Sequence, residues 1–129
     1  MARLIVLDAS VVIAALAADD AHHEAAVKAL ARAGDDELVL AATTRAEILV
    51  GPARTGGTAL AAALDFADGC ETVPVNAAIA DGAAKLKAHH RGLSLPDAIA
   101  LEVAAAIDAD AVWTFDRRWR DIHRRITIP

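Results

Sequence analysis

Apolar positions along the chain fall into short unbroken runs separated by longer stretches that repeat every three to four residues. Arg3 to Leu7 is a continuous, β-branched run of the kind that forms a strand covered on both faces. Ala9 to Ala17 and His22 to Ala33 have helical spacing, the second stopped by Gly34. Leu38 to Ala41 predicts a second strand after the acidic turn Asp35-Asp36-Glu37. Thr44 to Glu47 has the form of a capping box, opening a helix that ends near Gly51-Pro52. Arg54 to Gly57 is loop-like, Thr58 to Ala67 helical, and Glu71 to Val75 a third strand demoted to an edge by Pro74. Asn76 to His90 is helical and is closed by Gly92, and Ser94 to Asp97 starts a helix running to about Ala106. Ala111 to Thr114 is a strand, Arg117 to Ile122 a helical turn and Ile126 to Ile128 a last short strand.

Strands that alternate with helices predict a parallel sheet. The expected architecture is one α/β domain over residues 1–129, with a central parallel sheet of about four to five strands and helices on both faces. No internal repeat, low-complexity segment or linker interrupts it.

Composition sharpens this picture. The chain is 56% hydrophobic but only 3% aromatic, without Tyr, so its core has to be built from Ala, Val, Leu and Ile. Cys70 is the single cysteine, which leaves no intrachain disulfide and suits a reducing compartment. Asp8 interrupts the apolar start too early for a signal-peptide core, and the longest uncharged apolar stretch, Val11 to Ala18, is far short of the ~20 residues that span a bilayer. A soluble cytoplasmic protein without a membrane partner is expected.

The formal charge of −5 argues against a nucleic-acid partner until its distribution is considered. Residues 117–129 carry five Arg against Asp121 alone, whereas residues 1–116 carry 8 basic and 17 acidic residues. A basic tail therefore follows an acidic body, beginning directly after Asp116. A solvated terminal turn would look the same, so the acids decide.

In a parallel sheet all strands end on one edge, and ligands bind there where the strand order reverses. Asp8 follows the first strand, and Asp116 follows Ala111 to Thr114. Glu47 and Asp97 lie in the expected first turns of helices that run back from that edge. All four acids are thus expected in one crevice. Singly, Glu47, Asp97 and Asp116 have ordinary explanations as helix-start residues, Glu47 with Thr44 and Asp97 with Ser94. Asp8, directly after an apolar strand, does not, because burying an unpaired charge is costly. Gathered carboxylates repel unless cations neutralise them, and an all-oxygen set suits Mg²⁺ or Mn²⁺. The adjacent pairs His22-His23 and His89-His90 diverge on their helices and read as surface residues. Such a carboxylate set supports metal-assisted phosphoryl chemistry.

These segments resemble the PIN-domain nucleases, particularly the VapC-type toxins of bacterial toxin–antitoxin pairs, over the whole chain. Leu7-Asp8-Ala9-Ser10 matches the opening motif, Asp8 as first metal ligand and Ser10 as its supporting hydroxyl. Glu47 matches the second acid, Asp97 in Leu95-Pro96-Asp97-Ala98-Ile99 the third, and Thr114-Phe115-Asp116 the final Thr-x-Asp element, with Thr114 orienting a ligand. The resemblance implies a Mg²⁺- or Mn²⁺-dependent endoribonuclease acting on tRNA or ribosomal RNA. Its catalytic acids would be Asp8, Glu47, Asp97 and Asp116. Asp8, Asp97 and Asp116 would be the metal ligands, Asp116 as an outer ligand or water positioner. It further implies a homodimer and a small cognate antitoxin, contacts compatible with the alanine-rich helices of residues 9–33 and 43–67. Arg117, Arg118 and Arg120 would bind RNA.

A receiver-type signalling domain would need paired acids after the first strand and a Lys after a late strand, but Lys28, Lys85 and Lys87 all fall in helical segments. A haloacid-dehalogenase-like phosphatase would want Asp-x-Asp where Asp8 is followed by Ser10. A non-catalytic binding module stays open on sequence alone.

Overall fold

The structure, a computed structural model, describes residues 2–129. In chain order it has β1 (Leu4–Leu7), α1 (Ala9–Leu16), α2 (His23–Ala33), β2 (Glu37–Ala41), α3 (Ala42–Thr55) and α4 (Gly57–Asp68). Then follow β3 (Glu71–Val73), α5 (Ala77–His89), α6 (Leu95–Ala106), β4 (Ala111–Trp113), a 3-10 turn (Arg117–Asp121) and β5 (Ile126–Thr127). The strands form one sheet of order β3-β2-β1-β4-β5, parallel throughout, with Ile5 paired to both Leu38 and Ala111. The expected α/β architecture with helices on both faces is therefore present, at five strands.

Alternation along the strands divides the core in two. Val6, Val39 and Val112 point to the face packed by Ile79, Ala83, Ala98 and Leu101 of α5 and α6. Ile5, Leu7, Leu40, Ala111 and Trp113 point to the other, packed by Val11 and Val12 of α1, Ala26 of α2, Ile48 of α3 and Ala67 of α4. Crossovers in a parallel sheet are right-handed. The chain builds outward from β1 to β3 under α1–α4, then crosses back to β4 over the opposite face through α5 and α6. The order thus reverses between β1 and β4, which makes the ends of those two strands the crevice. Small side chains let helices approach closely: six of the twelve residues of α6 are buried, three of them Ala.

Two helix-end expectations are corrected at α3. Thr44 does not open the helix; β2 passes straight into it, with Ala41 as N-cap and no side-chain cap bond. Thr44 lies inside the first turn, buried, and its hydroxyl has no hydrogen-bond partner among the described residues. Pairing of Ala41 with Val73 fixes where the strand ends, and that tertiary constraint overrides the local capping pattern. Nor does Gly51-Pro52 stop the helix, which continues to Thr55 and ends at Gly56, in the left-handed region at φ 72°. Pro52 still accepts the Gly56 N–H through its carbonyl. Ser94 does cap α6, accepting the Asp97 N–H at 3.2 Å. Among the histidines, His23 departs from the surface reading. It is half-buried, with Nδ1 2.8 Å from the Ala14 carbonyl oxygen. Among the described residues, no helix is long and apolar enough to cross a membrane.

Candidate active site

Asp8 is placed by the sheet itself. Its N–H donates to the Trp113 carbonyl at 2.9 Å, adding one rung to the β1–β4 ladder, and only 7% of the residue is exposed. It occupies the N-cap position of α1, yet its carboxylate makes no capping bond. Instead Oδ2 accepts from Ser10 Oγ at 2.7 Å and from Thr114 Oγ1 at 2.8 Å. Each hydroxyl in turn accepts a backbone N–H, Ser10 from Phe115 at 3.1 Å and Thr114 from Asp116 at 3.0 Å. An N–H can only donate, so the hydroxyl proton is left for the carboxylate and the bonds run one way, from the backbone just after β4 to Asp8.

Thr114→Val keeps the volume but removes a charge-assisted bond to a buried carboxylate and orphans the Asp116 N–H. A loss of about 2–3 kcal/mol in a urea melt is expected, with Thr114→Ser recovering most of it. A loss below about 0.5 kcal/mol would show that the network does not hold the β4 end.

Asp97 is the third residue of α6, in the turn capped by Ser94. Partial burial raises its carboxyl above the usual range; the negative charges of Asp8 and Asp116 add to this, while the Ser94 hydroxyl and Arg118 oppose it. Glu47 lies in the second turn of α3, one turn later than expected, because that helix starts at Ala42. Its carboxyl is also raised, by partial burial first and then by the charges of Asp8 and Asp97. Asp116 behaves oppositely. Its Oδ1 accepts from Arg118 N at 3.0 Å and Nε at 2.9 Å, and Oδ2 from Arg118 Nη2 at 2.6 Å. These bonds hold its carboxyl below the usual range against the effect of burial.

The four expected acids thus share the C-terminal edge of the sheet, and Asp8, Glu47 and Asp97 are coupled through their charges. They do not close on one point: among the described residues, no three His, Cys, Asp or Glu side chains stand near enough to hold a metal ion. The donor chemistry nevertheless fits a hard divalent cation, being all oxygen and short of positive charge. A cavity of about 250 Å³ opens beside Asp116, between the 3-10 turn and the loop before α6, lined also by Leu93, Arg118 and Ile122 but not by Asp8, Glu47 or Asp97. A larger groove of about 630 Å³ runs along α2 to β5, past Lys28, Arg32 and Trp113, and touches none of the four acids.

Arg117, Arg118 and Arg120 are all exposed, on a turn pinned by Trp119, which is 1% exposed. Sequence reasoning missed two things here. The Trp119 anchor was signalled by a lone large apolar residue among arginines. The Phe115 ring, between two site residues, stacks on His22 with centroids 4.2 Å apart and planes 9° apart, and nothing in the chain pattern signalled that pair.

Fold and site define a doubly wound α/β domain with a carboxylate crevice at its switch point. The chain belongs to the PIN domain family, which its sequence matches over residues 5–125. Its fold is similar to that of Mycobacterium tuberculosis VapC20, described as a Sarcin-Ricin loop cleaving toxin, at 22% identity and a TM-score of 0.78 over 92% of this chain and 94% of that one. It is similar to a toxin–antitoxin complex from Klebsiella pneumoniae at 18% identity and a TM-score of 0.77, over 97% of both chains. It is also similar to VapBC2 from Rickettsia felis bound to a promoter DNA fragment, at 14% identity and a TM-score of 0.70, over 97% and 96%. No curated protein matches the sequence.

Proposed function

We propose that the protein is the toxin of a toxin–antitoxin pair, a Mg²⁺- or Mn²⁺-dependent endoribonuclease of the cytoplasm. The observation that carries this reading is the buried Asp8 carboxylate, aimed by the Ser10 and Thr114 hydroxyls at the sheet edge from which the helices of Glu47 and Asp97 start. Where these acids are ionised, added positive charge relieves their repulsion. Asp8, Asp97 and Asp116 would hold the ion, which supplies an activated water and stabilises charge on the phosphoryl group. Ser10 and Thr114 fix the aim of Asp8. Glu47, on α3, would serve as the further catalytic acid, Asp116 as outer ligand or water positioner, and Arg117, Arg118 and Arg120 would bind RNA phosphates.

Membership of the PIN family supports a nuclease, and the names of the structural neighbours support a toxin with a small antitoxin partner. Ile13, Leu16 and Val27 on α1 and α2, and Val50 and Leu64 on α3 and α4, are large apolar residues left exposed. These faces suit an antitoxin and a second copy of the chain. The substrate would be a structured RNA, tRNA or ribosomal RNA. Purified protein is expected to cut such RNA on addition of Mg²⁺ or Mn²⁺ and to stop in EDTA. Cleavage that persists in EDTA overturns the metal; no cleavage with either ion overturns the nuclease.

A further inference from the structure

We infer that Arg118 is an exchangeable counter-ion: it holds Asp116 while the crevice lacks a divalent cation, and turns to a substrate phosphate once Asp116 is given over to the ion. This rests on the nuclease reading above and adds a residue that couples metal to RNA.

The guanidinium already occupies a cation's place. It engages both oxygens of Asp116 through Nε and Nη2, at 2.9 and 2.6 Å, and its charge also reaches Asp97. Together with the Arg118 N–H, these bonds take most of the lone-pair directions of the Asp116 carboxylate, so an ion ligating it competes with the guanidinium. The two partners are unequally placed, the Arg118 side chain 74% exposed and that of Asp116 24% exposed. The arginine therefore approaches from solvent onto a carboxylate fixed by the fold, where water and salt screen the pair and can replace its bonds as it exchanges. No backbone has to move, because Trp119 is buried beneath the turn and Asp116 caps it. Arg118 also lines the cavity beside Asp116, its Nη1 passing over Gly92 in the loop before α6. The fork that matches a carboxylate matches a phosphate equally well. Among the described residues neither Arg117 nor Arg120 forms an ion pair, so the exchange belongs to Arg118 alone. By linkage, cation and RNA then strengthen each other's binding.

The test is Mn²⁺ affinity, read by electron paramagnetic resonance without RNA, for the parent, Arg118→Ala, Arg118→Lys and, as a control, Asp97→Asn. Arg118→Ala is expected to bind Mn²⁺ about two- to fivefold more tightly. Arg118→Lys keeps the charge but loses the fork, and is expected to show most of that gain. In saturating Mn²⁺, Arg118→Ala should raise KM for RNA more than it lowers kcat. Unchanged affinity in both arginine variants overturns the exchange, as does a lysine variant identical to the parent, which would leave only a general charge effect. If the parent binds no Mn²⁺, or Asp97→Asn binds as well as the parent, the metal-site reading fails first and the exchange fails with it.

Discussion

Asp8→Asn is expected to cut RNA at most about a thousandth as fast as the parent while melting at no lower a temperature. Asn is isosteric, and its side-chain oxygen can still accept from Ser10 and Thr114, so the β1–β4 edge keeps its bonds. The negative charge is what disappears. A metal-held phosphoryl site contributes several kcal/mol of charge stabilisation, and about 4 kcal/mol corresponds to roughly 10³ in rate. Stability should move the other way, because the Asp8 charge raises the carboxyls of both Glu47 and Asp97 and its removal relieves them. Asp97→Asn should behave alike. Single-turnover cleavage beside thermal melts separates the outcomes. Parent-like rates in both variants would overturn the site, and a collapsed melt would mean that Asp8 serves the fold.

The second large effect is a pH-dependent cost that a cation removes. In the folded protein the carboxyls of Glu47 and Asp97 lie above their ordinary values. The native state therefore holds more protons than the unfolded one between those ordinary values, about 4, and the raised ones. In that window stability falls as pH rises, and above it the full cost remains. Asp116 and His123 have the opposite sign, since both are lowered, Asp116 chiefly by Arg118 and His123 chiefly by burial. Comparison of the parent with the double variant Glu47→Gln, Asp97→Asn cancels those contributions. The double variant is expected to melt higher at pH 7.5, with the gap closing as pH falls towards 4. At neutral pH a divalent cation at 100 times its Kd should stabilise the parent by about 2.7 kcal/mol, on the order of 10 °C for a domain of this size, and hardly move the double variant. A parent melt unmoved by either ion would overturn the prediction.

The strand and helix order was legible because buried parallel strands and amphipathic helices write different periods into the chain, as Arg3 to Leu7 and His22 to Ala33 do. The shared edge of the four acids followed from topology alone. What the chain pattern could not carry were contacts between distant segments. The capping box at Thr44 was a sound local pattern defeated by the pairing of Ala41 with Val73. The stacking of His22 on Phe115 has no local signature, and the basic tail concealed that Arg118 spends its charge on its own neighbour Asp116. Charge counts place arginines near a site but do not say to what they are bound.

The bond from Thr114 to Asp8 joins residues 106 positions apart, and those from Phe115 and Asp116 complete the same network. A growing chain on the ribosome carries Asp8 from the outset but cannot aim it until β4 has been made and has paired with β1. Partial chains, and chains whose sheet has slipped in register, therefore lack an assembled crevice. The proposed nuclease site is thus completed only in the last steps of folding, after nearly the whole chain has been made.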